Sequence, residues 1–237
     1  ENAFPCFDGQ VAPCELGESY DVSEWTGTVK LSHQFSDALN VYGTLDHAYR
    51  PGAANFDTTG VFTPDLNAYG GEEVDSMEVG AKGELFGGSA RYTAAIYFST
   101  YSDYQARANF EAYNLATGEN EIITNSPWVN VDEAEQWGIE ADLRWYPVEN
   151  WMLFGGVSYA DVEFSAGEIP CTDPGQAPVG PDNRYNTCAA DGLNGSEQPQ
   201  FNATLQTEYT FPQLMLNSDL YVGALYAYRG EIEDIPG

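Results

Sequence analysis

The chain has 237 residues, of which 37 are acidic and 8 are basic, so its formal net charge is −29 at pH 7. This balance argues against a nucleic-acid partner, because phosphate binding needs a basic surface. No segment approaches the run of about 18 apolar residues that a membrane-spanning helix needs. Strands that cross a membrane as a barrel remain possible, because their hydrophobicity is hidden in alternation.

Eight strands are predicted by runs in which apolar and polar side chains alternate, the period expected of a sheet with one apolar face. In chain order they cover residues 25–35, 39–49, 76–85, 91–101, 136–145, 151–164, 201–209 and 220–229. The fifth strand shows the pattern best: one face carries Trp137, Ile139, Ala141, Leu143 and Trp145, and the other carries Gln136, Glu140, Asp142 and Arg144. A run of about ten residues with tryptophan at both ends is roughly what a tilted strand needs to cross a bilayer.

The connections between the predicted strands alternate between short and long. Short turns are expected at residues 36–38, 86–89, 147–150 and 212–218, and long polar loops at residues 50–71, 103–134 and 165–198. Bacterial outer-membrane barrels have this arrangement, with short turns on the periplasmic side and long loops outside. The predicted fold class is therefore all-β, an antiparallel transmembrane β-barrel segment of about eight strands.

The four cysteines fall in two close pairs, Cys6 with Cys14 and Cys171 with Cys188, each in a stretch rich in proline, glycine and aspartate. Disulfides within each pair are expected, and they imply an oxidising compartment. Metal binding is the alternative interpretation. Its weakness is that no histidine lies near either pair and the spacings do not resemble a zinc site.

Carboxylates on the polar face of the predicted strands are candidates for acid/base chemistry: Glu78, Glu84, Glu140, Asp142 and Glu208. We interpret them instead as the polar wall of a water-lined barrel, with Lys82, Arg91 and Arg144 as neighbours. His33 and His47 are isolated and are assigned to the rim or wall, not to a metal site.

Motifs that would carry chemistry are missing from the sequence. Acidic, glycine-containing segments at residues 171–182 and 191–194 do not match a known calcium loop and are interpreted as solvated surface. There is no glycine-rich phosphate loop, nucleophile elbow or zinc-protease helix. The sequence therefore predicts no enzyme, no metal and no cofactor.

Four segments, in this order and spacing, carry a family resemblance: DALNVYGTLDHAYRPGAANF, EEVDSMEVGAKGELFGGSARYTAAIYFSTYSDYQ, EQWGIEADLRWYPVENWMLFGGVSYADVEF and QPQFNATLQTEYTFP. They resemble the C-terminal part of the barrel of TonB-dependent receptors. The resemblance implies a barrel of about 22 strands, closed around an N-terminal plug domain. Residues 1–237 would then be a partial barrel domain that lacks the plug, the energy-coupling box and the final strands.

The resemblance also implies a function and its partners. Such a receptor lies in the outer membrane of a Gram-negative bacterium, in contact with the lipid bilayer and lipopolysaccharide. It imports a scarce nutrient with energy supplied through the TonB complex. On family frequency the first ligand expected is a ferric siderophore, followed by a carbohydrate or cobalamin.

Aromatic residues in or near the predicted outer loops are candidates for ligand contact: Tyr101, Tyr104, Phe110, Tyr113 and Trp128. Their rings could stack on a catechol or a sugar, or they could pack the loop on itself. Loops this acidic are expected to repel a free anion. They would favour a neutral or cationic ligand, or divalent ions that bridge lipopolysaccharide phosphates.

Two other architectures fit the same alternation. A self-contained eight-stranded outer-membrane barrel with a structural or adhesive role requires the first predicted strand to pair with the last. A secreted β-sandwich that binds sugar would bury the tryptophan-bearing faces in a core.

Overall fold

Eight long strands form one antiparallel sheet in the computed structural model, which describes residues 22–55, 66, 68–114, 117–123, 127–172, 184–215 and 217–232. The strands of this part of the chain are β1 (Gly27–Ser36), β2 (Leu39–Arg50), β3 (Ala53–Ala54), β4 (Ala68–Tyr69), β5 (Glu72–Leu85), β6 (Ala90–Arg107), β7 (Phe110–Asn114), β8 (Glu119–Ile123), β9 (Trp128–Val148), β10 (Trp151–Ala166), β11 (Glu168–Cys171), β12 (Asn186–Ala189), β13 (Phe201–Met215) and β14 (Ser218–Arg229). The large sheet has the order β1-β2-β5-β6-β9-β10-β13-β14, and the pairs β3–β4, β7–β8 and β11–β12 lie in its connections. Among the described residues no helix is long and apolar enough to cross a membrane.

The first and last long strands, β1 and β14, lie at opposite edges of the sheet and do not pair with each other in the described residues. An eight-stranded barrel closes only when these two strands pair. The self-contained barrel is therefore wrong for this chain. The sheet is an open barrel segment, as the family resemblance implied.

The register of the strands separates an apolar face from a polar face. Ile96 of β6 pairs with Ile139 of β9, while Thr93 pairs with Asp142 on the opposite face. Directly paired residues of an antiparallel sheet point to the same side, so each pair extends a row across the sheet. The two faces predicted from the fifth run are confirmed.

Large side chains of the apolar face are exposed. The exposed fractions are 79 % for Leu31, 62 % for Leu205 and 42 % for Trp137. A β-sandwich would bury such side chains under a second sheet. The described residues contain no such layer, so the sandwich interpretation is wrong, and the face has the composition of a lipid-exposed barrel wall.

The strands β6 and β9 run well beyond their predicted ends, and part of the predicted polar loop 103–134 is sheet. Beyond Asp103, whose φ is 54°, the strands are covered by other loops. Gln105 and Ala106, which are adjacent and point to opposite faces, are accordingly both buried there. Because these residues contact protein on both faces, the alternation that marked the rest of the strands is lost.

The turn between β9 and β10 is tighter than the sequence indicated. Pro147 and Val148 extend β9, which leaves only Glu149 and Asn150 between β9 and β10. Asn150 adopts a φ of 69°, a left-handed conformation that asparagine tolerates better than most residues. All the short turns of the described sheet lie at the end opposite the long connections.

One glycine of the polar face is expected to be sensitive to substitution. Gly80 of β5 lies under the ring of its register partner Tyr42, and a methyl group at residue 80 would overlap that ring. Gly80→Ala is therefore expected to lower the free energy of unfolding by about 1 kcal/mol, the low end of overpacking costs, because the overlapping atoms are the end of one side chain. Urea titration of the refolded protein in lipid vesicles is the measurement. Gly43→Ala is the control, because its methyl group would meet only a carbonyl oxygen, at 3.6 Å. If Gly80→Ala lowered the free energy of unfolding as much in the Tyr42→Ala variant as in the wild type, overlap with the Tyr42 ring would not be the cause of the destabilisation.

Candidate functional site

The long connections of the sheet fold together at one end into a compact unit. We call this unit the cap; it comprises the described residues within 51–71, 108–127 and 167–200. Its core is a hydrophobic cluster shared with the adjoining ends of β6, β9 and β10. The cluster consists of Leu66, Ala106, Ala108, Phe110, Ala112, Ile123, Val129, Val131, Ala134, Phe164, Ile169 and Ala190. The sequence predicted polar loops here, so this core was missed.

A disulfide closes the third connection. Cys171 at the end of β11 bonds to Cys188 in β12, with their Cα atoms 5.8 Å apart. The same hairpin carries Ile169, which is fully buried in the cap core. The predicted local pairing of these two cysteines is confirmed, whereas Cys6 and Cys14 lie outside the described residues.

Side-chain amides attach the first connection to β6 and β9. Gln105 Nε2 donates to the carbonyl oxygens of Gly70 at 2.9 Å and Pro51 at 3.1 Å. Asn130 Oδ1 accepts from Gly70 N at 2.6 Å. Asn55 accepts from Trp128 N at 2.9 Å and donates to Trp128 O at 2.7 Å, so its side chain bonds Trp128 as a neighbouring strand would.

A buried carboxylate anchors this network. The Glu72 side chain is only 8 % exposed and lies 2.8 Å from Arg50 Nη2. It also accepts from Gln105 N at 2.7 Å. A buried charge is tolerated when it is paired and hydrogen-bonded, and both conditions hold here.

Gln105→Glu should detach the first connection. The change replaces an amide donor with a carboxylate next to Glu72 and to several carbonyl oxygens, at an expected cost of at least about 2 kcal/mol. Faster protease cleavage within residues 51–71 of the full-length protein would report the detachment. Gln34→Glu, at an exposed position near the opposite rim, is the control. Equal cleavage of the two variants would rule out this role for Gln105.

Tyr101, Tyr104 and Phe110, three of the predicted ligand-contacting aromatics, pack the cap. Phe110 is fully buried, and its ring lies 5.4 Å from that of Tyr185. Tyr104 donates from its hydroxyl to Gly195 O at 3.0 Å, and Tyr101 donates to Gln136 Oε1 at 2.6 Å. Burial raises the pKa of Tyr104 to about 12 and also raises the pKa of Tyr101, so both hydroxyls are neutral donors. For these three residues, loop packing is the interpretation that the contacts favour.

Of the other two predicted aromatics, Tyr113 is half-buried and Trp128 is exposed. Trp128 is 37 % exposed, and its ring centroid lies 5.9 Å from the guanidinium groups of both Arg50 and Arg107. Arg107 in turn lies 3.7 Å from Glu197, so both arginines have a carboxylate partner. Contact of Tyr113 and Trp128 with a ligand stays a prediction.

Below the cap, the polar face contains an open groove of about 470 Å³. Three of the five predicted carboxylates, Glu78, Glu140 and Asp142, line it together with Ser158 and Asn202. The other two lie elsewhere on the face: Glu84 Oε1 is 3.2 Å from Arg91 Nε, and Glu208 pairs across the strands with Met152. The arrangement is that of a polar wall.

The histidines lie on the apolar face, not on the polar wall. His33 is in β1, and its ring meets Phe35 edge-on at 4.6 Å. His47 Nδ1 lies 2.8 Å from Asp75 Oδ1, and its ring stacks on Trp25 at 4.1 Å. The described residues contain no cluster of three or more potential metal ligands around either histidine.

Several residues of the site have no signal in the sequence. Asn55, Glu72, Gln105 and Asn130 bond to partners tens of residues away, such as Asn55 with Trp128 across 73 positions. The three amides lie in segments predicted as polar loops, where an isolated amide does not indicate its partner. Only the folded register brings these groups together.

Comparison with known proteins agrees with the fold. The family model described as TonB-dependent receptor-like, β-barrel, matches residues 8–235. No curated protein sequence matches the chain.

Among solved structures, the copper transporter OprC aligns with a TM-score of 0.55 at 16 % identity, covering 85 % of this chain and 25 % of that one. The siderophore receptor PiuA from Acinetobacter baumannii aligns with a TM-score of 0.54 at 17 % identity, covering 85 % and 26 %. The ferric yersiniabactin uptake receptor FyuA from Yersinia pestis aligns with a TM-score of 0.53 at 14 % identity, covering 83 % and 24 %.

These alignments show a shared fold, and the chain spans about a quarter of the length of each of the three structures. The family model covers nearly the whole chain, and the open antiparallel sheet with one apolar and one polar face is a segment of such a barrel. The chain therefore belongs to the β-barrel of the TonB-dependent receptor family.

Proposed function

We propose that this chain forms part of the wall and outer loops of an outer-membrane receptor that imports a scarce nutrient through TonB-driven transport. A ferric siderophore is the leading ligand. The observation that carries the proposal is the exposed apolar face of the sheet, opposite a polar face that the cap covers at one end.

The apolar face has the height that a membrane strand requires. From Trp137 to Trp145 the β9 backbone rises about 27 Å at about 3.4 Å per residue. With a strand tilt of about 40°, this gives roughly 20 Å along the membrane normal, close to the height of the apolar band of outer-membrane barrels. Beyond Trp137 the next row is polar, because Thr100 pairs with Asp75 on one side and Glu135 on the other.

The position of the cap supports ligand capture from outside the cell. Long connections of outer-membrane barrels face the exterior and short turns face the periplasm. Trp128, at the start of β9 beside the cap, is exposed, and the groove lined by Glu78 and Glu140 continues on the polar wall below. A ligand held at the cap would thus have a polar surface to follow inward.

The choice of ligand rests on two supports. Among the structural neighbours, PiuA is described as a siderophore receptor, FyuA as a ferric yersiniabactin uptake receptor and OprC as a copper transporter. The acidic surface, with Arg50 and Arg107 both paired, favours a neutral or cationic ligand over a free anion.

Uptake by the full-length receptor tests the proposal. The receptor would be expressed in iron-starved cells that lack their own siderophore receptors, with and without TonB, and offered radiolabelled ferric catecholate, hydroxamate and phenolate chelates. We expect TonB-dependent accumulation of at least one ferric chelate. TonB-dependent uptake of copper, cobalamin or an oligosaccharide alone would contradict the ligand, and uptake independent of TonB would contradict the transport mechanism.

A further inference from the structure

We infer that the cap is one preassembled body, whose three connections open together and do not act as separate flaps. As a statement about ligand capture this rests on the proposed function, but the cooperativity of the cap can be measured without any ligand. Three sets of contacts carry the inference.

The first set is the shared core. Leu66 of the first connection, Phe110 of the second and Ile169 of the third belong to one cluster, and none is more than 5 % exposed. If one connection swung away alone, the apolar side chains of the other two would lose their cover. Such an opening exposes apolar surface at a cost of about 25 cal/mol per Å².

The second set joins the second and third connections through the backbone. Ala112 of β7 forms an antiparallel bridge with Tyr185, next to β12. The adjacent Tyr113 N donates to Arg184 O at 2.7 Å. The two connections thus continue each other as a short sheet.

The third set joins the first connection to the sheet ends that carry the second. Asn130 Nδ2 donates to Asp103 O at 2.7 Å, while its Oδ1 accepts from Gly70 N. Asn55 bonds both backbone groups of Trp128. The two asparagine side chains bond backbone groups that a neighbouring strand would otherwise bond. The first connection is therefore hydrogen-bonded to the sheet ends almost as a strand would be.

The second and third connections are thus joined directly, the first is bonded to the ends of β6 and β9, and the shared core links all three. Segments that open at the same free-energy cost behave as one cooperative unit in hydrogen exchange. The disulfide between Cys171 and Cys188 adds a covalent limit within the third connection. A ligand would then bind to a surface that exists before binding, and the three connections would not close on it one by one.

Hydrogen–deuterium exchange of the ligand-free, full-length receptor in detergent tests this inference. Ile169→Ala, made in the third connection, is expected to speed exchange about tenfold or more in the described backbone of all three connections. Leu193→Ala is the matched control from the same connection; its side chain is 39 % exposed, and no change is expected. Faster exchange confined to residues 167–200 would overturn the inference.

A cross-link provides a second measurement, with the Tyr185→Cys single variant as its reference because that substitution alone removes the ring packed on Phe110. Ala112 and Tyr185 are directly opposite, so the double variant Ala112→Cys/Tyr185→Cys can form a disulfide. Joining the second and third connections is expected to slow exchange in the first as well, at residues 68–71. Unchanged exchange there would overturn the single-body account. Neither result depends on whether a ferric chelate is transported.

Discussion

Phe110→Ala is expected to lower the free energy of opening of the cap by about 3–5 kcal/mol, the usual cost of deleting a fully buried aromatic side chain. Phe110 has no exposed surface, and its neighbours include Tyr185 and the cap core. The rest of the sheet should be unaffected, because the long strands form a separate hydrogen-bonded unit. Protease cleavage of the cap in the full-length protein would measure the effect, because a lower free energy of opening gives a larger open fraction and faster cleavage.

Ile122→Ala is the matched control for this variant. Ile122 lies on β8, the partner strand of β7, and is 69 % exposed, so its truncation should change stability by no more than about 0.5 kcal/mol. Equal cleavage of the two variants would mean that Phe110 does not hold the cap together.

The second large effect is expected from a charge on the apolar face. Val157 of β10 pairs with Ala141 and Ala203, in the row midway between the levels of Trp137 and Trp145. Val157→Arg should therefore cost about 2–4 kcal/mol, as for arginine near the middle of a bilayer. Urea unfolding of the full-length receptor in lipid vesicles is the measurement.

The adjacent residue supplies the control for the charge. Ser158 points to the polar face and lines the groove, so Ser158→Arg places the same charge in water one residue away. We expect at most about 0.5 kcal/mol of destabilisation, as for a surface substitution. If Ser158→Arg lowered the free energy of unfolding as much as Val157→Arg, the two faces would not differ in their contact with lipid and water.

The strands could be predicted from the sequence because lipid and water select side chains at every second position. Trp137 and Glu140 are assigned to opposite faces by sequence alone, and the register of β6, β9 and β10 confirms the assignment. The disulfide of the third connection was also predictable, since its cysteines are close in the chain. Both predictions rest on residues that are close together in the sequence.

The cap could not be predicted, because its contacts join distant parts of the chain. Its residues are also covered by other parts of the protein and not by water or lipid, so they show no alternation. Val129 and Val131 lie in a predicted polar loop, yet both are buried. In the sequence Gln105 looks like any polar loop residue, and only the fold brings its amide to the Gly70 carbonyl. For the same reason, loop packing and ligand contact could not be separated for Tyr104 and Phe110 before their surroundings were known.

The central claim is that lipid contacts one face of these strands while water contacts the other. Nitroxide labels placed singly at residues 136–145 of the full-length receptor in lipid vesicles test it most directly, by their collision rates with oxygen and with a water-soluble nickel complex. The account predicts a period of two, with high oxygen access at the positions of Trp137, Ile139, Ala141, Leu143 and Trp145 and high nickel access at the positions between them. Odd-numbered positions closed to both reagents, as beneath a second layer of protein, would contradict it.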